Sequence, residues 1–184
     1  NDPNFRRLHY LRYADDFLLG YTGTSAESKK KKKQLAAFLR DNLHLELSQD
    51  KTLITSTRKD YARFLGYDIH ALHTDNKHDY RGQRCINGSI GLRVPAEVIH
   101  DKCRKYMRKG KPIHLTQRVN DSDYSIIAQY QVEYRGIVQY YRLAYNLTRF
   151  AKLKWIMETS LAKTLAKKFK TTCRKIFRRY KKSR

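Results

Sequence analysis

Residues 8–21 read Leu8-His9-Tyr10-Leu11-Arg12-Tyr13-Ala14-Asp15-Asp16-Phe17-Leu18-Leu19-Gly20-Tyr21. Two short apolar, aromatic stretches flank a polar tip, which is the pattern of a β-hairpin with Ala14-Asp15-Asp16 at or near its turn. Adjacent carboxylates at such a tip repel unless something positive sits beside them. A divalent metal does this well, because Mg²⁺ is hard and takes carboxylate and phosphate oxygens. Two such ions can activate an attacking hydroxyl and stabilise a leaving oxygen in phosphoryl transfer. The flanking strands are expected to bury their apolar residues and hold the tip rigid. The competing reading is a solvated Asp-Asp turn.

Downstream, Thr24-Ser25-Ala26-Glu27 has the capping-box pattern of a helix start. A helix over about 25–43 would place Leu35, Phe38, Leu39 and Leu43 on one side. Lys29–Lys33 lie on its early turns, where five cations oppose the macrodipole. They read as a solvated face or as phosphate contacts. Residues 52–56 and 62–70 read as strands, 74–83 as a loop, and 84–94 as a strand pair around Asn87-Gly88. After Pro95 the pattern is helical, over about 96–109, 122–146 and 149–170, with a basic extension to 181. A stripe of Ile127, Tyr130, Tyr134, Ile137, Val138, Tyr141 and Tyr145 marks the second helix. Phe150, Leu153, Met157, Leu161, Thr164 and Leu165 mark the third. Three amphipathic helices with short connections predict a small bundle.

The whole sequence has 184 residues, 40% of them hydrophobic, which is enough for a core and excludes a wholly disordered chain. Its formal net charge is +23. The charge is uneven: residues 1–70 hold 13 Lys/Arg and 9 Asp/Glu, and residues 71–184 hold 27 and 8. A polyanion is the partner that such a surface selects, and 14 tyrosines add rings able to stack on bases. An anionic membrane is the competing polyanion. Trp155 is the lone tryptophan, no helix pattern puts Trp/Phe/Leu opposite lysine, and no apolar run approaches the ~20 residues that span a bilayer. No membrane partner is expected.

Cys85, Cys103 and Cys173 are odd in number and far apart. No Cys-x-x-Cys pair exists, which excludes a zinc ribbon and an HNH-type zinc endonuclease. An intracellular reducing compartment, a bacterial cytoplasm or an organelle matrix, fits this usage. The opening Asn1-Asp2-Pro3-Asn4-Phe5 has no signal-peptide pattern and reads as mid-domain text, so a piece of a longer protein is expected.

Lys163, Lys167, Lys170, Arg174, Arg178 and Lys181 step by three or four and fall on one face of a continuous helix. From 163 to 184 there are eleven Lys/Arg and no acid, which favours phosphate binding over a solvated face. Tyr130, Tyr134 and Tyr141 are expected in the core, and Tyr140 falls off their stripe toward a possible nucleic-acid contact. Gly136 costs a helix roughly 1 kcal/mol against Ala, which close helix packing or a close RNA backbone would justify. Cys103 and Cys173 read as partly buried helix residues.

Several segments resemble one family in order and spacing. Tyr13–Asp16 looks like the Tyr-x-Asp-Asp signature of a reverse-transcriptase palm, Leu47-Ser48-Gln49-Asp50-Lys51-Thr52 like the segment after the palm helix, and Phe64-Leu65-Gly66-Tyr67 like the primer-grip hairpin. Ile90–Pro95, Gly110-Lys111-Pro112, Tyr134-Arg135-Gly136-Ile137-Val138-Gln139-Tyr140-Tyr141 and Lys163-Thr164-Leu165-Ala166 resemble the thumb, or domain X, of group II intron maturases. The resemblance implies an α+β fold: residues 1–95 the C-terminal part of a palm, with antiparallel strands and one helix, and 96–184 a basic α-helical thumb bundle.

The same resemblance implies that Asp15 is a palm metal ligand, with Asp16 a second ligand or supporting carboxylate, and that the complete polymerase uses two Mg²⁺. It implies that Lys51 approaches the incoming triphosphate or protonates the leaving group, and that Phe64, Leu65 and Gly66 position the primer end. Lys163, Lys167, Lys170 and Arg174 would grip RNA. The parent's partners would be intron RNA, an RNA template with a DNA primer, deoxynucleotide triphosphates and a second copy in a homodimer. The parent would assist splicing and copy RNA into DNA. A fragment without fingers and without the third palm aspartate is expected to be inactive alone. The alternative is a non-enzymatic splicing factor that keeps a palm remnant.

Overall fold

The computed structural model describes residues 4–180. The fold is α+β, with five α-helices and small antiparallel sheets among the described residues. The chain divides into two compact units, Asn1–Gly91 and Leu92–Arg184.

The first unit opens with β1 (Arg7–Tyr13) and β2 (Asp16–Thr22), an antiparallel hairpin with Tyr13 opposite Asp16 and Arg7 opposite Thr22. Its strands do not bury their apolar residues as the pattern suggested: Leu8, Tyr10, Leu11 and Leu19 are exposed. A lone two-stranded ribbon cannot cover both of its own faces. Helix α1 (Ser25–Leu43) follows. Thr24 caps it reciprocally, its hydroxyl accepting from Glu27 N (3.2 Å) while Glu27 Oε2 accepts from Thr24 N (2.8 Å). The Thr24 amide, with the Arg6 guanidinium beside it, holds the Glu27 carboxyl below the usual carboxylate range. Along α1, Leu35 and Leu39 are half-buried, whereas Phe38 and Leu43 are exposed.

Residues 52–56 form no strand. Their backbone groups go to local turns instead, Thr52 N to Ser48 O (3.0 Å) and both Lys59 N and Asp60 N to Ser56 O. Strands β3 (Ala62–Phe64) and β4 (Tyr67–Ala71) pair around Leu65-Gly66, and β5 (Ile90–Arg93) completes a sheet of order β3-β4-β5. The expected strand pair over 84–94 is therefore one strand. Gly88 N bonds Leu72 O and Leu72 N bonds Ser89 O, so the Asn87-Gly88 turn feeds the edge of β4. Gly91 is required there, because a Cβ would meet the Leu72 side chain at 2.9 Å.

The second unit carries the main core. Helix α2 (Ala96–Arg104) is shorter than its pattern, and a small hairpin follows, β6 (Met107–Arg108) and β7 (Lys111–Pro112). Its turn residues Lys109 and Gly110 both have positive φ, as a two-residue hairpin of this hand demands. Helix α3 (Asp123–Tyr140) ends before the pattern did. Beyond it, Asn146 turns back to pair with Val94, accepting from its N–H (2.8 Å) and donating to its carbonyl (3.2 Å). Helix α4 (Phe150–Lys168) is the central element and touches α2, α3, β7 and the last helix, α5 (Cys173–Tyr180).

Ile126, Tyr130, Tyr141, Phe150, Leu153, Ile156, Met157 and Leu165 form the heart of this core. Ile126 is buried where Ile127 was expected, Tyr134 is half-buried and Tyr145 is exposed. Cys103 is buried and Cys173 half-buried. No helix among the described residues is long and apolar enough to cross a membrane.

Candidate functional site

Asp15 and Asp16 sit together at the tip between β1 and β2, both exposed. Ala14 adopts a left-handed conformation there (φ 49°), which costs a residue with a Cβ about 1–2 kcal/mol. The Arg12 side chain steadies the turn by donating from Nε to Ala14 O (2.8 Å). The result is a strained, pinned corner presenting two carboxylates to solvent. Two hard oxygen donors suit Mg²⁺, which takes one or two protein carboxylates and completes its shell with water and phosphate. Among the described residues no third His, Cys, Asp or Glu joins them.

Lys51 is exposed on the turn closed by Thr52 N and Ser48 O. That turn is tied to α1 by Lys32, whose Nζ donates to Thr52 O and to Gln49 O (3.3 Å). One of the five clustered lysines is thus a structural donor, a role that neither reading of the run foresaw. No hydrogen bond or ion pair among the described residues joins Lys51 to Asp15 or Asp16. At the β3–β4 corner, Leu65 (φ 47°) and Gly66 (φ 74°) form the turn, and Phe64 is buried beneath it. Arg63 pairs with the buried Asp68 at 2.8 Å across the same two strands.

The basic stripe is interrupted. Helix α4 stops at Lys168, Lys170 turns left-handed (φ 48°), and α5 starts at Cys173. The expected single continuous helical face is therefore corrected to two helix segments, and Lys181 lies outside the described residues. The break has a local cause: Thr171 N bonds Ala166 O (2.9 Å) and Lys170 N bonds Lys167 O (3.4 Å), which closes the helix end. Lys163 is half-buried and donates to Pro112 O (2.6 Å). Lys167, Lys170 and Arg174 are exposed. Lys163, Lys167 and Lys170 still line one groove, joined there by His114, Thr171 and Cys173.

Two polar clusters fix the scaffold of the second unit. The Tyr130 hydroxyl lies 2.8 Å from Ser160 Oγ, Ser160 Oγ donates to Ile113 O (2.6 Å), and Thr164 Oγ1 accepts from Leu115 N (3.0 Å). Ser160 and Thr164 are fully buried. In the second cluster Glu133 accepts from Lys105 Nζ (3.0 Å), the Tyr106 hydroxyl and Arg118 Nη2, while the Arg118 guanidinium lies 4.9 Å from the Tyr130 ring centre. Burial pushes the Glu133 carboxyl up, but the bonds from Tyr106, Lys105 and Arg118 outweigh it and the net shift is downward. Burial first, and the Glu133 carboxylate second, push the Tyr106 hydroxyl up. These residues carry no sequence signature, since their partners lie 15 to 49 positions away.

Solvent sees a different set. Tyr124, Tyr140, Tyr145 and Trp155 are exposed. The Tyr140 ring stands edge-on to the buried Tyr141 at 4.9 Å. A Cβ on Gly136 would meet nothing within 4 Å, so close packing inside the protein is not the reason for that glycine.

The family model described as type II intron maturase matches residues 89–183, just over half of the chain and nearly the whole second unit. The chain is 36% identical over 187 aligned residues to the group II intron-encoded protein LtrA of Lactococcus lactis subsp. cremoris, an alignment covering 95% of this chain and 31% of that protein. It is 34% identical to the putative COX1/OXI3 intron 1 protein of Saccharomyces cerevisiae, covering 92% of this chain and 22% of that one. Maturase K of Angiopteris evecta is 24% identical over 94% of the chain. The chain thus spans less than a third of LtrA and of the yeast protein. With the helical unit matched almost end to end, the chain belongs to the type II intron maturase family.

Proposed function

We propose that this chain is the palm-and-thumb portion of a group II intron-encoded protein, and that its second unit binds intron RNA and assists splicing. The observation that carries this reading is the excess of cations over acids in the part of the chain that matches the maturase family, 23 Lys/Arg against 6 Asp/Glu over residues 89–183. Exposed Lys102, Arg104, Lys109, Arg135, Arg142, Lys167, Lys170 and Arg174 distribute that charge over several elements, as contact with a folded polyanion requires. Exposed Tyr140 and Trp155 offer rings beside them.

In the complete protein the first unit would contribute to RNA-templated DNA synthesis. Asp15 and Asp16 would hold Mg²⁺, which when bound supplies electrostatic stabilisation of the attacking and leaving oxygens. The strained Ala14 corner fixes both carboxylates outward, Lys51 would meet a triphosphate from the turn that Lys32 anchors, and the Leu65-Gly66 corner would support the primer end. The template, primer, nucleotides and a second copy of the protein are partners of that complete protein on this reading.

The test is a salt titration of RNA binding. The logarithm of affinity for a group II intron RNA should fall linearly with the logarithm of salt, by about 0.7–0.9 for each phosphate neutralised. Splicing of a precursor transcript should accelerate in parallel. A flat salt response together with no splicing effect would overturn the reading.

A further inference from the structure

We propose that the groove at the α4–α5 junction is a phosphate site, taking one backbone phosphate of RNA without regard to base. This rests on the RNA-binding reading above and locates one of its contacts. The groove is lined by His114, Lys163, Lys167, Lys170, Thr171 and Cys173, with no carboxylate in its wall. Its volume of about 470 Å3 lies within the roughly 300–1,000 Å3 of small-ligand sites, so a phosphate enters with part of its sugar.

Two of the three lysines have other reasons to be there. Lys163 satisfies the Pro112 carbonyl. Lys167 stands in the last turn of α4, where a cation complements the macrodipole. Lys170 has neither reason. It occupies the left-handed position just past the helix end, closed by Thr171 N on Ala166 O and Lys170 N on Lys167 O. Glycine is the ordinary residue at that position because it alone lacks the Cβ penalty. A lysine held there against its conformational preference puts a third ammonium into the groove wall.

The groove wall ends at Cys173, where α5 begins, and the Thr172 hydroxyl accepts from Lys175 N (3.4 Å). The amides of Cys173 and Arg174 are first-turn donors without intrahelical partners. They add the positive end of a helix to the ammonium groups. A tetrahedral anion in this groove meets ammonium groups beside the start of a helix, a combination that binds phosphate without reading a base.

The variant Lys170→Gly separates this role from folding, because it removes the ammonium and relieves the backbone at once. The melting temperature of the full chain should stay or rise. Binding of a scrambled-sequence RNA should weaken about five- to tenfold at 0.1 M salt, and the salt slope should flatten by about 0.7–0.9. Lys167→Gln, in regular helix, should flatten it similarly. Inorganic phosphate, titrated at constant ionic strength, should shift the NMR amide signals of Thr171 and Cys173 in the wild type and not in Lys170→Gly. Wild-type RNA binding with an unchanged slope in Lys170→Gly overturns the groove and leaves the RNA reading intact. Wild-type protein that binds no RNA overturns both, and absence of the phosphate shifts overturns the groove even where RNA binds.

Discussion

Glu133 gathers three donors, Lys105, Tyr106 and Arg118, from two other segments of the chain. Arg118 is buried, and removing its counter-charge leaves a cation with little access to water. Breaking a buried pair by deleting one partner costs about 3–5 kcal/mol, and partial exposure of Glu133 puts it at the lower end. Glu133→Gln should therefore lose about 3 kcal/mol of stability at pH 7 in urea unfolding. The pH dependence has a definite sign. The bonds from Tyr106, Lys105 and Arg118 hold the folded carboxyl below its ordinary value, so its contribution is fully present above that ordinary value and is lost as pH falls through the folded pKa. The stability gap between wild type and Glu133→Gln should close on acidification below about pH 4.5. A gap that persists unchanged at low pH would show that the loss comes from altered packing and not from the carboxylate charge.

Helix α3 carries its own anomaly in Gly136. The position faces open space, and an exposed helical glycine is about 1 kcal/mol less favourable than alanine. Gly136→Ala should stabilise the protein by about that amount in thermal or urea unfolding. A loss of stability instead would mean that the backbone at 136 departs from helix in solution. The exposed neighbours Val132, Arg135, Gln139 and Tyr140 recur at helical spacing around this glycine, so the variant also reports on whether a ligand needs the bare backbone: RNA affinity falls only if it does. Helix α4 contrasts with it, burying Phe150, Leu153, Ile156, Met157, Ser160, Thr164 and Leu165 along its length. The central helix is the one whose hydroxyls must be satisfied internally, and Tyr130, Ile113 and Leu115 do so.

Across the whole molecule the two units divide the chemistry. Carboxylates suited to metal sit in the first, and the excess of positive charge lies toward the second. On the proposed reading, Asp15→Ala with Asp16→Ala in the complete protein should abolish primer extension, because both hard donors are gone. Splicing assistance should persist, since on that reading it rests on the basic surface and not on these carboxylates. Parallel extension and splicing assays on the same preparation decide this, with circular dichroism to confirm the fold. Equal loss of both activities in a folded variant would contradict the division.

The sequence determined the features that depend on near neighbours. The capping box at Thr24 and Glu27 set the start of α1 at Ser25, and the paired apolar runs around Ala14-Asp15-Asp16 set the hairpin. Both are short-range contests between backbone donors and adjacent side chains, and both can be read from a few residues. The carboxylate pair and the concentration of cations after residue 70 were equally legible, because charge needs no partner to be counted. Tertiary structure decided the rest. The pairing of Asn146 with Val94 spans 52 positions and closes the helical unit. Ser160 and Thr164 are core residues only because Tyr130, Ile113 and Leu115 reach them. The sequence pattern put the end of the third helix near 170, but the lysine periodicity from 163 onward runs on into the basic extension as one straight helix would. The break between them is visible only where the chain turns left-handed and Thr171 bonds back to Ala166, closing α4 while α5 turns Ile176 inward to the core.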